Sequence, residues 1–508
     1  MLKAIIVFLE FKILLSVMAS EKLQNVIKQR EQLLQKDLEM MLGSDIVLSE
    51  SEQKVNDIIM KLKHRELDYG FENPGHFNVS KHFFSYKDNV KNTTLFEILQ
   101  QMPKGALLHT HDTAVLSPDY TLKLTYMDNL YVCFESDGGI RFLFSSKTPK
   151  ETCGTQWQLM KDVRYSSGDI EQFDADLRKH FTIVTERHNE LYTDINAVWI
   201  RFQQYFIATG GIFTYKPVWE QYFYDSLKAL REDNVMYLEV RSVLPHLYDL
   251  EGNTYDSVST AQSYKETLDR FMIDYPDFCG AKLIYAPMRL VDRATIKGNL
   301  NTAREIKRRF PKLLAGFDIV GQEDLGAALK EFLPEFVEAA NDLDYFFHAG
   351  ETNWNGMSSD ENLYDAIVLD TRRIGHAYAL IKHPQLWNEV VRKDIGLEIN
   401  VVSNCVLKLV NDVRNHPLAA FFAQNLPVVL GSDDSGVWEA LPLTHDFYVA
   451  FVGVSNRHAD LRLLKKLALN SLKYSAHDNK DEMINEFEIR WMRFIDTVVN
   501  NYEHSCKC

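Results

Sequence analysis

Cysteine is scarce in this chain, with six among 508 residues. That excludes a disulfide-dense scaffold, so an apolar core must carry stability. Basic residues are also short: Lys and Arg total 56 against 71 Asp and Glu, a net charge of -15. Such a balance opposes phosphate backbones and argues against a nucleic-acid partner. Past the N-terminus no stretch is long and apolar enough to span a bilayer. There is no G-x-x-x-x-G-K-[ST], no G-x-S-x-G and no zinc-finger C-x-x-C pair. What remains is an ordinary globular composition, 46% hydrophobic and 25% charged, in a chain long enough for two or three domains.

Residues 1–20, MLKAIIVFLEFKILLSVMAS, resemble a secretory signal. Lys3 precedes an apolar run, and Val17-Met18-Ala19 offers a small-residue cleavage point. Glu10 and Lys12 interrupt the run, and an uncleaved amphipathic helix is the alternative. Asn78 and Asn92 head N-x-S/T glycosylation acceptors that fit export. Cys133 and Cys153 share one polar, aromatic-rich segment and are the disulfide pair expected of an exported chain. Cys279 and Cys405 sit in apolar contexts as free thiols. Cys506 and Cys508 have no evident role.

Over 21–42, Leu23, Val26, Ile27, Leu33, Leu34, Leu38 and Met41 fall on one helical stripe that Gly43 ends. A second helix is expected from Ser49, with Glu52 completing a capping box, to about residue 66. This N-terminal helical region, 21–100, either pairs with another subunit or packs on its own chain. From residue 105 the rhythm changes. Eight apolar runs alternate with helical stretches: GALLHTH (105–111), VMYLEVRS (235–242), AKLIYAP (281–287), LLAGFDIVG (313–321), DYFFHAGE (344–351), RIGHAY (373–378), GLEINVVSN (396–404) and PVVLGSDD (427–434). Buried parallel strands separated by helices predict an α/β fold, and eight of them a (β/α)8 TIM barrel over 101–508. The long gap after the first run predicts an insertion, about 113–180, carrying Cys133 and Cys153 at the barrel's C-terminal rim.

Nearly every run ends in a reactive side chain. The first gives His109 and His111, which point the same way along a strand while Thr110 points away and should matter least. The fifth gives His348 and Glu351, the sixth His376, the eighth Asp433 and Asp434. Parallel barrel strands bring these ends to one face. Imidazoles with a carboxylate suit zinc, which activates water near neutral pH. Glu351 is placed to carry a proton. His383, His416 and His445, near prolines in helix or loop contexts, are expected to be structural.

The stretches MPKGALLHTHDTA (102–114), GFDIVGQED (316–324), FFHAGET (346–352), RIGHAY, SNCVLKLVNDVRNHP (403–417) and GSDD (431–434) resemble the adenosine deaminase family. More narrowly they are similar to its extracellular branch, adenosine deaminase 2 and the adenosine deaminase-related growth factors. The resemblance implies a secreted zinc amidohydrolase that converts adenosine or 2'-deoxyadenosine to the inosine product and ammonia. It implies His109, His111, His348 and Asp433 as zinc ligands, one ion per subunit. Glu351 would protonate the purine N1. His376 would orient and deprotonate the attacking water. Asp434 would meet N7, the Gly321 N–H would meet N3, and Asp112 and Trp199 would contact substrate. A homodimer through the N-terminal region is implied, with a cell-surface receptor or glycosaminoglycan as further partners. Growth-factor signalling with weak or altered turnover is the alternative function. The chain departs from the branch at Met288, a substrate-contact position where histidine is usual, and at Gln322, Ala377, Cys405 and Ser435. The H-x-E and P-C-x-x-C pair of the zinc deaminases that act on nucleic-acid bases is absent.

Overall fold

Each of the eight apolar runs forms a strand, because β-branched and aromatic residues there are buried on both faces. In chain order they are β1 (Gly105–Leu107), β2 (Val235–Ser242), β3 (Ala281–Tyr285), β4 (Leu314–Phe317), β5 (His348–Ala349), β6 (Arg373–His376), β7 (Gly396–Ile399) and β8 (Val428–Leu430). The computed structural model describes residues 2–136 and 138–502, with side chains from Glu21 onward. The signal expected over 1–20, and Cys506 and Cys508, lie outside the fully described residues.

All pairings between successive barrel strands are parallel. β1 to β4 form one sheet and β5 to β8 another. Two bridges close them into a barrel: Phe317 with Tyr345 joins β4 to the start of β5, and Thr110 with Asp433 joins the end of β1 to the end of β8. Helices such as Lys216–Glu232, Ser257–Asp274 and Arg293–Arg309 connect the strands and cover the outside. The seventh run does not stay extended to residue 404. It stops at Ile399, and Val401–Val406 is helical. That turn brings Asn400, Ser403 and Asn404 to one side, at i, i+3 and i+4.

The N-terminal region divides in two. Helix α1 (Leu2–Met40) leaves Leu23, Val26, Ile27, Leu33 and Leu34 between 46 and 65% exposed. Its stripe is therefore uncovered until Leu38 and Met41 reach the body. Helix α2 (Glu50–Glu72) is docked. Its capping box forms as expected, with Ser49 N–H donating to Glu52 at 2.8 Å. It continues past residue 66, through Gly70, to Glu72, and stops at Asn73-Pro74. Val55, Ile58, Ile59 and Leu62 are buried, and Lys63 donates to Ser455 Oγ and to the carbonyls of Asn456 and Ala459.

The insertion follows β1 directly. It carries a three-stranded antiparallel sheet of 130–134, 140–144 and 158–159. Cys133 and Cys153 form a disulfide within it. Cys279 and Cys405 are free thiols, half-buried and buried. Among the described residues no helix is long and apolar enough to cross a membrane.

Candidate active site

The strand ends converge as the barrel requires. Ligand-type atoms of His109, His348, His376 and Asp433 lie within 4.8 Å of one another. His111 joins them, its Nε2 3.0 Å from Asp433 Oδ1. The four expected ligands thus meet, and His376 stands among them. His109 and His111 lie beyond the last residue of β1. Thr110 is not idle as expected: it is buried, and its hydroxyl donates to the Asp433 carbonyl at 2.6 Å. It therefore helps to fix the loop that carries Asp433.

The backbone is strained where the chemistry sits. His376 (φ 61°), Ala377 (φ 48°) and Asp433 (φ 55°) are left-handed without being glycine. Such conformations cost roughly 1–3 kcal/mol each and persist only when surroundings over-determine them.

Those surroundings include a buried charge network beneath the histidines. His109 Nδ1 lies 2.7 Å from Glu398, and His348 Nδ1 lies 2.6 Å from Asp318. Arg241 bonds both carboxylates, at 2.8 and 2.7 Å. Arg373 bonds Glu398 and Glu239. All five charged residues are fully buried. Sequence reasoning missed this layer, since its members are charged residues inside apolar strands and far apart in the chain. The available signal was a charged residue inside each apolar run, Glu239 and Arg241 in VMYLEVRS and Glu398 in GLEI among them. Burial disfavours ionisation of Glu398, but Arg241 and Arg373 outweigh it and hold the carboxyl well below the usual range.

This arrangement fits a divalent cation. The carboxylates keep the Nδ1 protons of His109 and His348 and leave each Nε2 lone pair free. His109 Nε2 is buried and has no hydrogen-bond partner. Burial pushes His348 down to about 3, so the ring is neutral. Ser403 Oγ donates to Asp433 Oδ2 at 2.6 Å and orients that carboxylate.

Glu351 is buried beside this cluster, its Oε1 3.5 Å from His376 Nδ1. Burial first, then the charges of Asp433 and Glu323, push its pKa well above the carboxylate range. Glu323 fixes its backbone by accepting the N–H groups of Gly350 and Glu351. Asp434 is likewise pushed well up, by burial and by Asp433. Its Oδ1 is buried and unpartnered. Burial thus favours the protonated form of Glu351 and Asp434, while the histidines favour the ionised form of Asp433.

The remaining expected residues line the surroundings. Gly321 has φ 110°, a conformation suited to glycine. Met288 pairs with Val320 and is 47% exposed. Its methyl group lies 3.2 Å from where a Cβ on Gly321 would sit. Gln322 donates to Asn196 on the helix Ile195–Phe213, which also carries the buried Trp199. Asp112 is held within the protein, by Tyr264 OH at 2.9 Å and the Thr113 N–H. Asn78 is half-buried and Asn92 exposed. His383 bonds Asp360, and His445 bonds the Lys87 carbonyl and the Leu441 N–H, as structural histidines do.

The arrangement places a candidate cation site beside a buried carboxyl held toward its protonated form, a combination suited to hydrolytic chemistry. Comparison with known proteins agrees. The family model described as adenosine deaminase matches residues 171–488, and the adenosine/AMP deaminase N-terminal model matches 11–99. The chain is 43% identical to the adenosine deaminase of Lutzomyia longipalpis, over 94% of each chain. It is 39% identical to adenosine deaminase 2 of Homo sapiens, over 92% of this chain and 93% of that one. In fold it is similar to the N6-methyl-AMP deaminase from Arabidopsis thaliana, with TM-score 0.54 and 18% identity, over 78% of this chain and 98% of the other. The site and the likeness across nearly the whole length lead to one conclusion: this chain is an enzyme of the adenosine deaminase family.

Proposed function

We propose that this protein is a secreted, zinc-dependent adenosine deaminase that hydrolyses adenosine and 2'-deoxyadenosine to inosine and deoxyinosine, releasing ammonia. The observation that carries the reading is the meeting of His109, His111, His348 and Asp433 beside a buried, neutral Glu351. Those four residues would hold one zinc ion. Bound there, zinc supplies the Lewis acidity that activates water near neutral pH. The remaining work falls to the chain itself. Glu351 gives its proton to the purine N1, which makes C6 electrophilic. Asp434 presents its unpartnered oxygen side to N7, and Gly321 presents its N–H to N3. His376 faces the attacking oxygen. Burial of the cluster excludes bulk water and strengthens each polar contact.

The disulfide and the two acceptor sites support export, with residues 1–20 as signal, 21–100 as a helical module and 101–508 as the barrel. The uncovered stripe of α1 supports a homodimer. It also supports the second reading, in which the module engages a cell-surface receptor or glycosaminoglycan while turnover is weak or altered.

An absorbance assay with adenosine, deoxyadenosine and AMP, run with and without a chelator, tests the proposal. Chelator-sensitive loss of both nucleosides, with AMP untouched, is the expected result. No turnover by the zinc-loaded protein would leave the second reading, and preference for AMP would redirect the substrate class.

A further inference from the structure

Behind His376 runs a chain of hydrogen bonds that the catalytic reading does not use. The backbone N–H of Leu418 donates to His416 Nδ1 at 3.0 Å. His416 Nε2 lies 3.0 Å from Asn404 Oδ1. Asn404 Nδ2 lies 3.2 Å from His376 Nδ1. All three side chains are buried.

The polarity of this chain has one solution. A backbone N–H can only donate, so His416 Nδ1 must be the acceptor. A neutral imidazole then carries its proton on Nε2 and donates to Asn404 Oδ1. The ring is neutral, for burial pushes His416 down to about 3. Reversing the Asn404 amide would set its NH2 against the His416 N–H. The amide must therefore donate from Nδ2, and His376 Nδ1 must accept.

We infer that His416 and Asn404 are positioning residues that lock His376 in the tautomer with its proton on Nε2, directed into the site. The groups on that side agree. Nε2 lies 3.7 Å from Asp433 Oδ2, an acceptor. Asn400 lies 3.5 Å away, and its Oδ1 has no partner. Turning the Asn400 amide over presents that oxygen to the Nε2 proton. Glu351, whose Oε1 is 3.5 Å from Nδ1, is neutral and does not need a proton from the ring. His376 then meets the reacting oxygen as a hydrogen-bond donor, with its lone pair sealed behind Asn404, so it orients the attacking water but does not take its proton, unlike the role that the family resemblance implies. The left-handed backbone at His376 helps to aim the ring along this line. His416 is thus more than the structural histidine its Pro417 neighbour suggests. The inference rests on the proposed placement of His376 against the attacking oxygen in deamination.

Neutron diffraction of the zinc-loaded enzyme, with steady-state kinetics on variants, tests it. The wild-type protein should show deuterium on His376 Nε2 and on His416 Nε2. Deuterium on His376 Nδ1 would overturn the proposal, whether or not any variant folds. Asn404→Leu, nearly isosteric, should let deuterium spread over both His376 nitrogens. Its kcat should fall on the order of 100-fold or more, the scale of losing an aligned proton-handling group, with KM and zinc content kept. A variant with deuterium on Nε2 alone and wild-type kcat would overturn it. His416→Gln retains an N–H donor and should keep the Nε2 proton and most of kcat; a defect equal to that of Asn404→Leu would refute the donor role. If wild type carries the Nε2 deuteron yet turns over no adenosine, the relay stands and the proposed function fails.

Discussion

At the scale of the residue, the site separates its carboxyl groups by environment. Asp433 is surrounded by histidines and ionised, whereas Glu351 and Asp434 are buried and neutral. Asp433→Ala should therefore abolish stoichiometric zinc, measured by elemental analysis after dialysis; full zinc in that variant would refute its place as a ligand. Glu351→Gln keeps the shape but removes the acid. It should retain zinc and lose at least ~100-fold in kcat, and near-normal turnover would remove Glu351 from proton transfer. Met288 sits against Gly321 with no group able to pair with a nucleoside hydroxyl or ring nitrogen. Met288→His should lower KM for adenosine by a few-fold, as about 0.5–1.5 kcal/mol per hydrogen bond allows. An unchanged KM would mean that the ring at 288 does not reach substrate.

The residues proposed as ligands were legible as a converging set because each ends an apolar run, and a parallel barrel sends all run ends to one face. The residues that orient them were not. Arg241, Asp318, Arg373 and Glu398 pair across 25 to 157 positions of chain, and no local pattern announces such pairs. Asn404 and His416 were hidden differently. The seventh run reads as a long strand, but the helical turn after Ile399 is what aims Asn404 at His376.

At the scale of the element, the two N-terminal helices divide their work. α2 spends its apolar face on the barrel and fixes Lys63 against three oxygens. α1 keeps its stripe outward, and exposed contiguous apolar surface of this kind marks an interaction site. The periodicity of 21–42 predicted the stripe but could not tell which body would cover it. A double substitution, Leu33→Glu with Leu34→Glu, should shift the purified protein toward monomer in sedimentation velocity and leave kcat within about two-fold, since surface changes away from a site rarely exceed 0.5 kcal/mol. A sedimentation coefficient equal to wild type would exclude this stripe as the dimer contact.

At the scale of the whole molecule, buried histidines make one contribution to stability that is lost in acid. His82, His416 and His445 are each pushed down to about 3, chiefly by burial. In the unfolded chain they titrate near 6.5. Between those values the unfolded state binds protons that these rings refuse in the fold, so their contribution rises with pH. It is complete above about 6.5 and is lost progressively as pH falls toward 3. His445→Gln removes one such ring, so on going from pH 7 to pH 5 its urea midpoint should lose less, or gain more, than that of the wild type, while the raised carboxyls of Glu351, Asp434 and Asp446 pull the other way equally in both proteins. An equal pH dependence in the two proteins would show that this ring accepts its proton without unfolding.

The barrel seam carries one more consequence. Strand β1 meets strand β8 through the bridge of Thr110 with Asp433 and through the Ser432 and Asp433 N–H groups on the His109 carbonyl. Thr110 and Asp433 stand 323 residues apart. During synthesis the two histidines of LLHTHDTA emerge early and wait for nearly the whole remaining chain before their carboxylate partner arrives. A ribosome-bound fragment can fold several strands, but it cannot own half an active centre that works. Completion of the barrel and assembly of the candidate cation site are a single event, so a chain that stops short of Asp433 should be inert.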